Sequence, residues 1–282
     1  MYKKSLAYPH LAWMLVFVLV PMVIILLYSI NILTPNGTGD FSLNNYIKLF
    51  EDTLYLRTFG YSLWIALLST VFCLGLGYPV AYILASRERE RQKKGKKSST
   101  MFLLFVMPMW MNMMLRTYSW LTILETNGLL NTVLRFLGLP DVNILYTTGA
   151  VILGMVYDFI PFMILPIYTV LIKIDSSIKE AAEDLGANPL KVFIKVTVPM
   201  SLPGVVSGIT MVFLPSITTF YISNIFGGGH TMLVGNLIER QFLGASDWGY
   251  GSAMAIVMMV LMFFSMGIMN LFNKGNKQMD IF

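Results

Sequence analysis

Six stretches of this chain, residues 11–31, 58–85, 101–124, 148–172, 203–226 and 251–272, are apolar over a length sufficient to cross a bilayer as a helix. About 30 Å of hydrocarbon at ~1.5 Å per residue needs about 20 such residues. Inside lipid a backbone must satisfy its own hydrogen bonds, and a helix does so within each segment. The expected fold class is therefore all-α transmembrane. Composition agrees, because only 12% of residues are charged against 56% hydrophobic, whereas soluble chains carry about 25% charged residues. The first run follows Lys3 and Lys4, but it is too long for a signal-peptide core and no small-residue cleavage site follows, so it reads as a retained helix. The single cysteine, Cys73, lies within the second run, so no intrachain disulfide forms. No zinc or haem spacing occurs, and neither metal nor cofactor is expected.

Charge sets the expected orientation. Alternating the spans puts fifteen of the 20 lysines and arginines on one side, among them the run Arg87, Arg89, Arg91, Lys93, Lys94, Lys96 and Lys97. The other side holds Lys48, Arg57, Arg116, Arg135 and Arg240. Positively charged short loops stay in the cytoplasm, which places both termini there. The net charge of +5 is then a topology signal rather than a nucleic-acid footprint. Gly95-Lys96 does not belong to a phosphate loop, because position 90, where the Walker pattern needs glycine, is glutamate. The basic loop reads as a solvated segment against anionic lipid.

Between the fourth and fifth runs lies "EAAEDLGANPLKVFIKVTVP", residues 180–199, charged and punctuated in a chain of apolar segments. Ser177 with Glu180 has the form of a capping box at a helix start. Gly186 is placed to end that helix in the left-handed conformation. Asn188-Pro189 opens a second short helix, which Pro199 and Pro203 are expected to end. Ala181, Ala182 and Leu185 form a shallow apolar face rimmed by Glu180, Glu183 and Asp184, while Val192, Phe193 and Val196 are suited to lie back on the bundle. On periodicity alone, a docking segment and an amphipathic connector lying on the bilayer are equal readings.

Glu180-Ala181-Ala182, Gly186, Val196, Val198 and Pro199 resemble, in register over all twenty positions, the EAA motif of ABC-importer permease subunits, EAA-x3-G-x9-I-x-L-P. Valine replaces isoleucine at 196 and leucine at 198. The resemblance implies a six-helix type I ABC importer permease whose cytoplasmic coupling helix seats in a separate ATPase, with Glu180 and Gly186 at the centre of the contact and Ala181, Ala182 and Pro199 completing the motif. It further implies a second homologous permease, an ATPase dimer, an extracytoplasmic solute-binding protein and residence in the bacterial inner membrane. No residue would perform covalent chemistry. The implied organisation is residues 1–57 as an N-terminal span and outer loop, 58–272 as the transmembrane core with the coupling loop at 173–202, and 273–282 as a cytoplasmic tail.

The segments "GYPVAYILA" (77–85), "MPMWMNMMLRTYSW" (107–120), "LPSITTFYISNIFGGG" (214–229) and "LVGNLIERQFLGASDWGYGSA" (233–253) resemble the B-type permeases of spermidine/putrescine importers. The resemblance implies a polyamine cargo, with thiamine, iron, sulfate or molybdate permeases as the built-alike alternatives. A protonated amine needs carboxylates, hydroxyls or aromatic faces in place of water. Asp158 stands mid-span, where a lone carboxylate costs roughly 2.5–3.5 kcal/mol. It either attracts substrate or is paired with Arg116 or a neighbouring helix. Ser216, Thr219 and Ser223 share a helical face that either lines a pathway or bonds helix to helix. Tyr157, Trp110 and Tyr221 offer π faces, and Trp120 and Trp248 read as interface anchors. Pro79, Pro161, Pro166 and Pro215 are expected to interrupt helices. The outer stretch 127–141 has an amphipathic pattern, and with Glu239, Arg240 and Asp247 it forms the outer loops where a binding protein would dock. A self-sufficient secondary transporter or channel is the rival class, but it calls for internal repeats and embedded ion sites, and no repeat is found.

Overall fold

The computed structural model describes residues 7–35, 37–95 and 105–277, with side chains from 8 to 268. Lys3, Lys4, Lys96, Lys97, the start of the third apolar run at 101–104, and the last five residues of the tail lie outside the described residues, as do the side chains of Lys274 and Lys277. The chain is helical almost throughout. In order come α1 (Ala7–Met14), a π turn (Leu15–Leu19) and α2 (Val20–Ser29), then a small antiparallel pair β1 (Leu33–Thr34) and β2 (Gly37–Thr38). Next are α3 (Asn44–Glu51), α4 (Thr53–Lys93), a 3-10 turn (Met107–Trp110), α5 (Met113–Leu124), α6 (Leu129–Phe136) and α7 (Thr148–Lys173). Then follow α8 (Ser176–Asp184), α9 (Pro189–Val192), a second π turn (Phe193–Thr197), α10 (Val198–Thr218), α11 (Tyr221–Gly227), α12 (Val234–Leu243) and α13 (Trp248–Lys277).

Among the described residues five helices are long and apolar enough to cross a membrane: Tyr8–Ser29, Thr53–Lys93, Thr148–Lys173, Pro189–Thr218 and Trp248–Ile268. The third apolar run departs from the expected single helix. Pro108 sits in the 3-10 turn, Met111 and Asn112 are extended with ψ of 147° and 129°, and α5 starts afresh. The Asn112 side chain accepts from the amides of Met114 and Leu115, so a polar residue inside an apolar run serves as an N-cap.

Three expectations are corrected, two of them about prolines. Pro79, Pro161, Pro166 and Pro215 lie inside helices that continue through them. In a bundle the missing amide is tolerated because neighbouring packing holds the helix on both sides. Pro199 and Pro203 likewise do not end the connector; the chain stays helical from Pro189 to Thr218. The π turn explains how. A proline ring collides with the carbonyl four residues earlier, here Lys195, and that residue lies in the widened turn, where the Val198 amide reaches back to the Phe193 carbonyl. Finally, α10 stops at Thr218 and Thr219 is extended (ψ 132°), so Ser216, Thr219 and Ser223 do not share one continuous helix.

Two compact units are present. The first, up to Tyr61 with Leu233–Ser265, contains the long apolar rod Tyr8–Ser29, whose most apolar stretch has no buried residue. Ser29 anchors its end: its Oγ meets the Tyr46 hydroxyl at 2.8 Å and its carbonyl accepts from Asn45 at 3.1 Å. Asp52 caps α4 through the Leu54 and Tyr55 amides and accepts from the Tyr250 hydroxyl at 2.7 Å.

The second unit, Ser62–Met232 with Met266 onward, is built on the crossing of α7 and α10. Gly204 and Gly208, four apart, let the backbones approach: a Cβ on Gly204 would stand 2.8 Å from the Pro166 carbonyl oxygen, and one on Gly208 would stand 2.7 Å from Met163 Sδ. Small residues at this spacing are how helices pack in lipid, where no hydrophobic force draws them together. Met155, Met163, Ile167, Leu171, Val212, Ile222 and Phe226 fill the core. The amphipathic stretch 127–141 forms α6 as expected, with Leu129, Val133 and Phe136 exposed. Buried Asn131 holds its loop through both sides of its amide.

Candidate functional site

Two features of the second unit carry the chemistry: the connector α8–α9 and a cavity beside α10. The connector's punctuation is nearly what its residues dictate. α8 begins two residues earlier than a Ser177 N-cap would place it, because Asp175 is the N-cap and accepts from the Ser177 amide at 3.0 Å. That amide and the Ser177 hydroxyl hold the Asp175 carboxyl below the ordinary carboxylate range. Ser177 and Glu180 therefore form no capping box. Aspartate outcompetes serine two positions later because its charge also suits the positive end of the helix. At the other end Gly186 has φ +80°. The Ala187 amide returns to the Ala182 carbonyl and the Gly186 amide to that of Glu183, which is the Schellman closure. Asn188 accepts from the Lys191 amide, with Pro189 at the first helical position.

The outward side of this connector is bare. Leu185 is 89% exposed, Leu190 64%, and Ala181 and Glu180 are open as well. Its other side is anchored. Glu180 Oε1 meets Lys93 Nζ at the end of α4 at 2.7 Å, and the Lys179 ammonium lies over the Tyr82 ring. Burial, then the Arg89 charge, lowers the Lys179 pKa against the pull of Glu183. Phe193 packs edge-on against Tyr78 and Tyr82, Val192 is buried, and Ser201 bonds the Tyr78 hydroxyl at 2.8 Å. The connector is thus rigidly mounted on α4 and α10, with an uncovered, shallow apolar face.

The cavity, about 430 Å³, lies among the 3-10 turn, α5, α7, α10 and α11. Methionines 109, 111, 113 and 211 and the rings of Phe159, Phe162 and Phe220 make most of its wall, with Arg116, Pro215, Thr218, Thr219 and Tyr221 completing it. Of the pathway residues inferred from sequence, Thr219 and Tyr221 are on this wall. Asp158 is behind it, fully buried: Arg116 Nη2 is 2.9 Å from Oδ1 and the Thr117 hydroxyl donates to Oδ2 at 3.0 Å. Arg116 also donates through Nη1 to the Pro108 carbonyl at 3.1 Å. Ser216 and Ser223 are buried with their hydroxyls on the Val212 and Phe220 carbonyls. Tyr157 packs with Trp120 and under the Arg116 guanidinium, and Trp110 is 75% exposed. Trp248 sits with Tyr28 and Phe242.

The methionine lining was not singled out from sequence, although "MPMWMNMM" (107–114) concentrates it. The signal lay in the pairing of Pro108 with Asn112, which breaks the helix and turns several methionines toward one place.

Such a chain, helical, membrane-crossing and carrying an exposed connector on a rigid mount, is a transport permease. The family described as binding-protein-dependent transport system inner membrane component matches residues 77–278, and the chain belongs to it. Among relatives, the spermidine/putrescine transport system permease protein PotB of Escherichia coli (strain K12) is 37% identical over 256 residues, covering 89% of this chain and 90% of that protein. PotB of Haemophilus influenzae is 36% identical over 257 residues, covering 89% and 87%. A chain in the crystal structure of a bacterial alginate ABC transporter in complex with alginate pentasaccharide-bound periplasmic protein matches with a TM-score of 0.77 at 16% identity, over 97% of this chain and 95% of that one. The fold is that of type I ABC importer permeases.

Proposed function

We propose that this chain is the permease subunit of an ATP-driven importer of polyamines, spermidine or putrescine. It forms part of the translocation pathway and hydrolyses nothing itself. The observation that carries the reading is the connector: a twenty-residue EAA match that is uncovered on one side, anchored on the other and closed by Gly186 at φ +80°. The identity with permeases named for spermidine and putrescine supports the cargo. Partners are a second permease, an ATPase pair of which one copy docks on Glu180, Ala181, Ala182, Leu185 and Gly186, and an extracytoplasmic solute-binding protein contacting the outer segments, with α6, Glu239 and Arg240 on α12, and Asp247 as candidate contacts. Both termini and the connector face the cytoplasm, as the lysine and arginine distribution requires. ATP-driven closure of the ATPase pair moves the connectors together and rocks the two permeases, a rigid-body transfer.

Thr219, Tyr221 and the aromatic wall line the pathway, and Asp158 acts on it from behind through Arg116. Proteoliposomes containing the permease pair, ATPase and binding protein test the assignment. Uptake of labelled spermidine should require all components and ATP, and uptake by the permease alone would make the chain a secondary transporter or channel instead.

A further inference from the structure

Arg89, near the end of α4, is a half-buried cation without a counter-ion. Among the described residues it makes no ion pair and no hydrogen bond, and its Nε is enclosed with no acceptor. A guanidinium carries five donors, and a charge drawn partly out of water costs free energy unless it is paired. A second cation stands beside it. Tyr82, Ser86, Arg89 and Lys93 recur at three- and four-residue intervals, so they share one face of α4. α8 lies along that face: the Lys179 ammonium is 5.3 Å from the centre of the Tyr82 ring, and Glu180 is on Lys93. These two contacts bracket Arg89, whose charge is felt at Lys179. Lys179 is also half-buried and has no ion pair among the described residues. Of the carboxylates close by, Glu180 is taken by Lys93 and Glu88 is buried, acting on Tyr168. Glu183 pulls on Lys179 but forms no ion pair with it. Two like charges are thus held together between helices, and both keep part of their surface open.

We propose that Arg89 and Lys179 receive a phosphate group, which clamps α8, the first helix of the connector, to α4. A guanidinium fork beside an ammonium matches phosphate oxygens, and the Ser86 hydroxyl on the same stripe is a further donor. The exposed Lys93–Glu180 pair contributes little by itself, so the bridging phosphate is the firmer tie. Arg91 and Lys94 are exposed and attract a membrane surface only diffusely; Arg89 and Lys179 add a fixed geometry. Ile83 and Ile178, next in sequence to Tyr82 and Lys179, are exposed, and an acyl chain can cover them. A lipid headgroup is therefore one source of the phosphate, and a soluble phosphate is the other. The inference holds whatever the cargo is.

The test uses the complex of this chain with its partner permease in zwitterionic detergent. It is titrated with short-chain phosphatidylglycerol, with phosphatidylcholine of the same chain length and with inorganic phosphate, each read by melting temperature, and native mass spectrometry counts retained lipid. Phosphatidylglycerol should bind and phosphatidylcholine should not. Arg89→Gln and Lys179→Gln should each weaken binding roughly 30-fold, the loss of one charged hydrogen bond. Lys94→Gln should weaken it by no more than about fivefold, the share of one diffuse surface charge. Arg89→Lys, which keeps the charge and loses the fork, should fall between, and Glu183→Gln should tighten binding. A response to phosphatidylglycerol without one to inorganic phosphate assigns the site to lipid, and the reverse assigns it to a soluble phosphate. Equal losses for Lys94→Gln and Arg89→Gln, or unchanged binding by Lys179→Gln, overturn the inference. Displacement of the phosphate group when the ATPase binds overturns it as well, by giving both cations to that interface. No readout uses transport, so the polyamine reading stands or falls separately.

Discussion

Arg116 and Asp158 form a buried ion pair, Nη2 to Oδ1 at 2.9 Å, with side chains 6% and 1% exposed. The same guanidinium holds the Pro108 carbonyl, so this pair ties the broken third run to α7. Breaking a buried pair leaves one charge uncompensated, at about 3–5 kcal/mol. Asp158→Asn should therefore lower the melting temperature of the detergent-solubilised complex, and Arg116→Met with Asp158→Leu should recover most of the loss. An unshifted melting temperature with lost uptake would place Asp158 in direct contact with cargo instead.

Glu180, the proposed centre of ATPase docking, is held by Lys93 at 2.7 Å, with both side chains 59% exposed. Exposed pairs contribute about 0.2–1 kcal/mol, so Lys93 is a weak competitor for any cation that an ATPase offers. Lys93→Ala should leave ATPase co-purification intact or tighten it by no more than about fivefold, whereas Glu180→Ala should weaken it. Matching losses in both variants would mean that the pair orients the connector and that Glu180 is not the contact.

A Cβ at Gly186 would meet nothing within 4 Å, which separates backbone from packing effects. The cost of Gly186→Ala is that of holding φ +80°, about 1–2 kcal/mol, and Gly186→Asn should cost less because asparagine tolerates that region. The expected order of ATPase-stimulated uptake is glycine, asparagine, alanine. Alanine matching glycine in both assembly and transport would remove the turn from the coupling mechanism.

In the first unit the Tyr250 hydroxyl, more than the Tyr55 and Leu54 amides and Lys48, holds the Asp52 carboxyl below its usual range against the opposing effect of burial. A depressed folded pKa contributes stability that is present above the unfolded value, about 3.9, and is lost as pH falls through the folded one. Hydrogen exchange at the Leu54 and Tyr55 amides, corrected for intrinsic rate, should accelerate only below about pH 4. Tyr250→Phe should move that onset upward. An unmoved onset would assign the shift to the amides alone.

The long spans and the connector were legible because both rest on rules with little freedom: length against bilayer thickness, and Gly186, Asn188 and Pro189 at positions where few residues fit. What escaped were contests between local signals. Asp175 and Ser177 are both competent N-caps, and only the fold shows which amides are free. Pro199 reads as a terminator until a π turn displaces the carbonyl that it would strike. Asn112 and Pro108 were hidden by the hydrophobicity around them, so the break that shapes the cavity was missed. Asp158 was recognised as needing a partner, and Arg116 was named as one of two options, but no spacing rule could decide between counter-ion and cargo.

The tightest test of the fold lies at Gly204. A methyl there would sit 2.8 Å from the Pro166 oxygen and 3.0 Å from the Ile167 Cα, both backbone atoms that no rotamer change can move aside. At Gly208 the nearest obstacle is the Met163 sulfur at 2.7 Å, the end of a flexible side chain that can turn away. Gly204→Ala should therefore force α7 and α10 apart and destabilise by roughly 1–3 kcal/mol, the usual cost of overpacking, while Gly208→Ala should cost less. Because the connector is continuous with α10, the Gly204 variant should also lose coupling: ATP hydrolysis by the assembled complex persisting while amine uptake falls. Equal melting temperatures for the two variants would show that the crossing adjusts freely and does not transmit the connector's displacement.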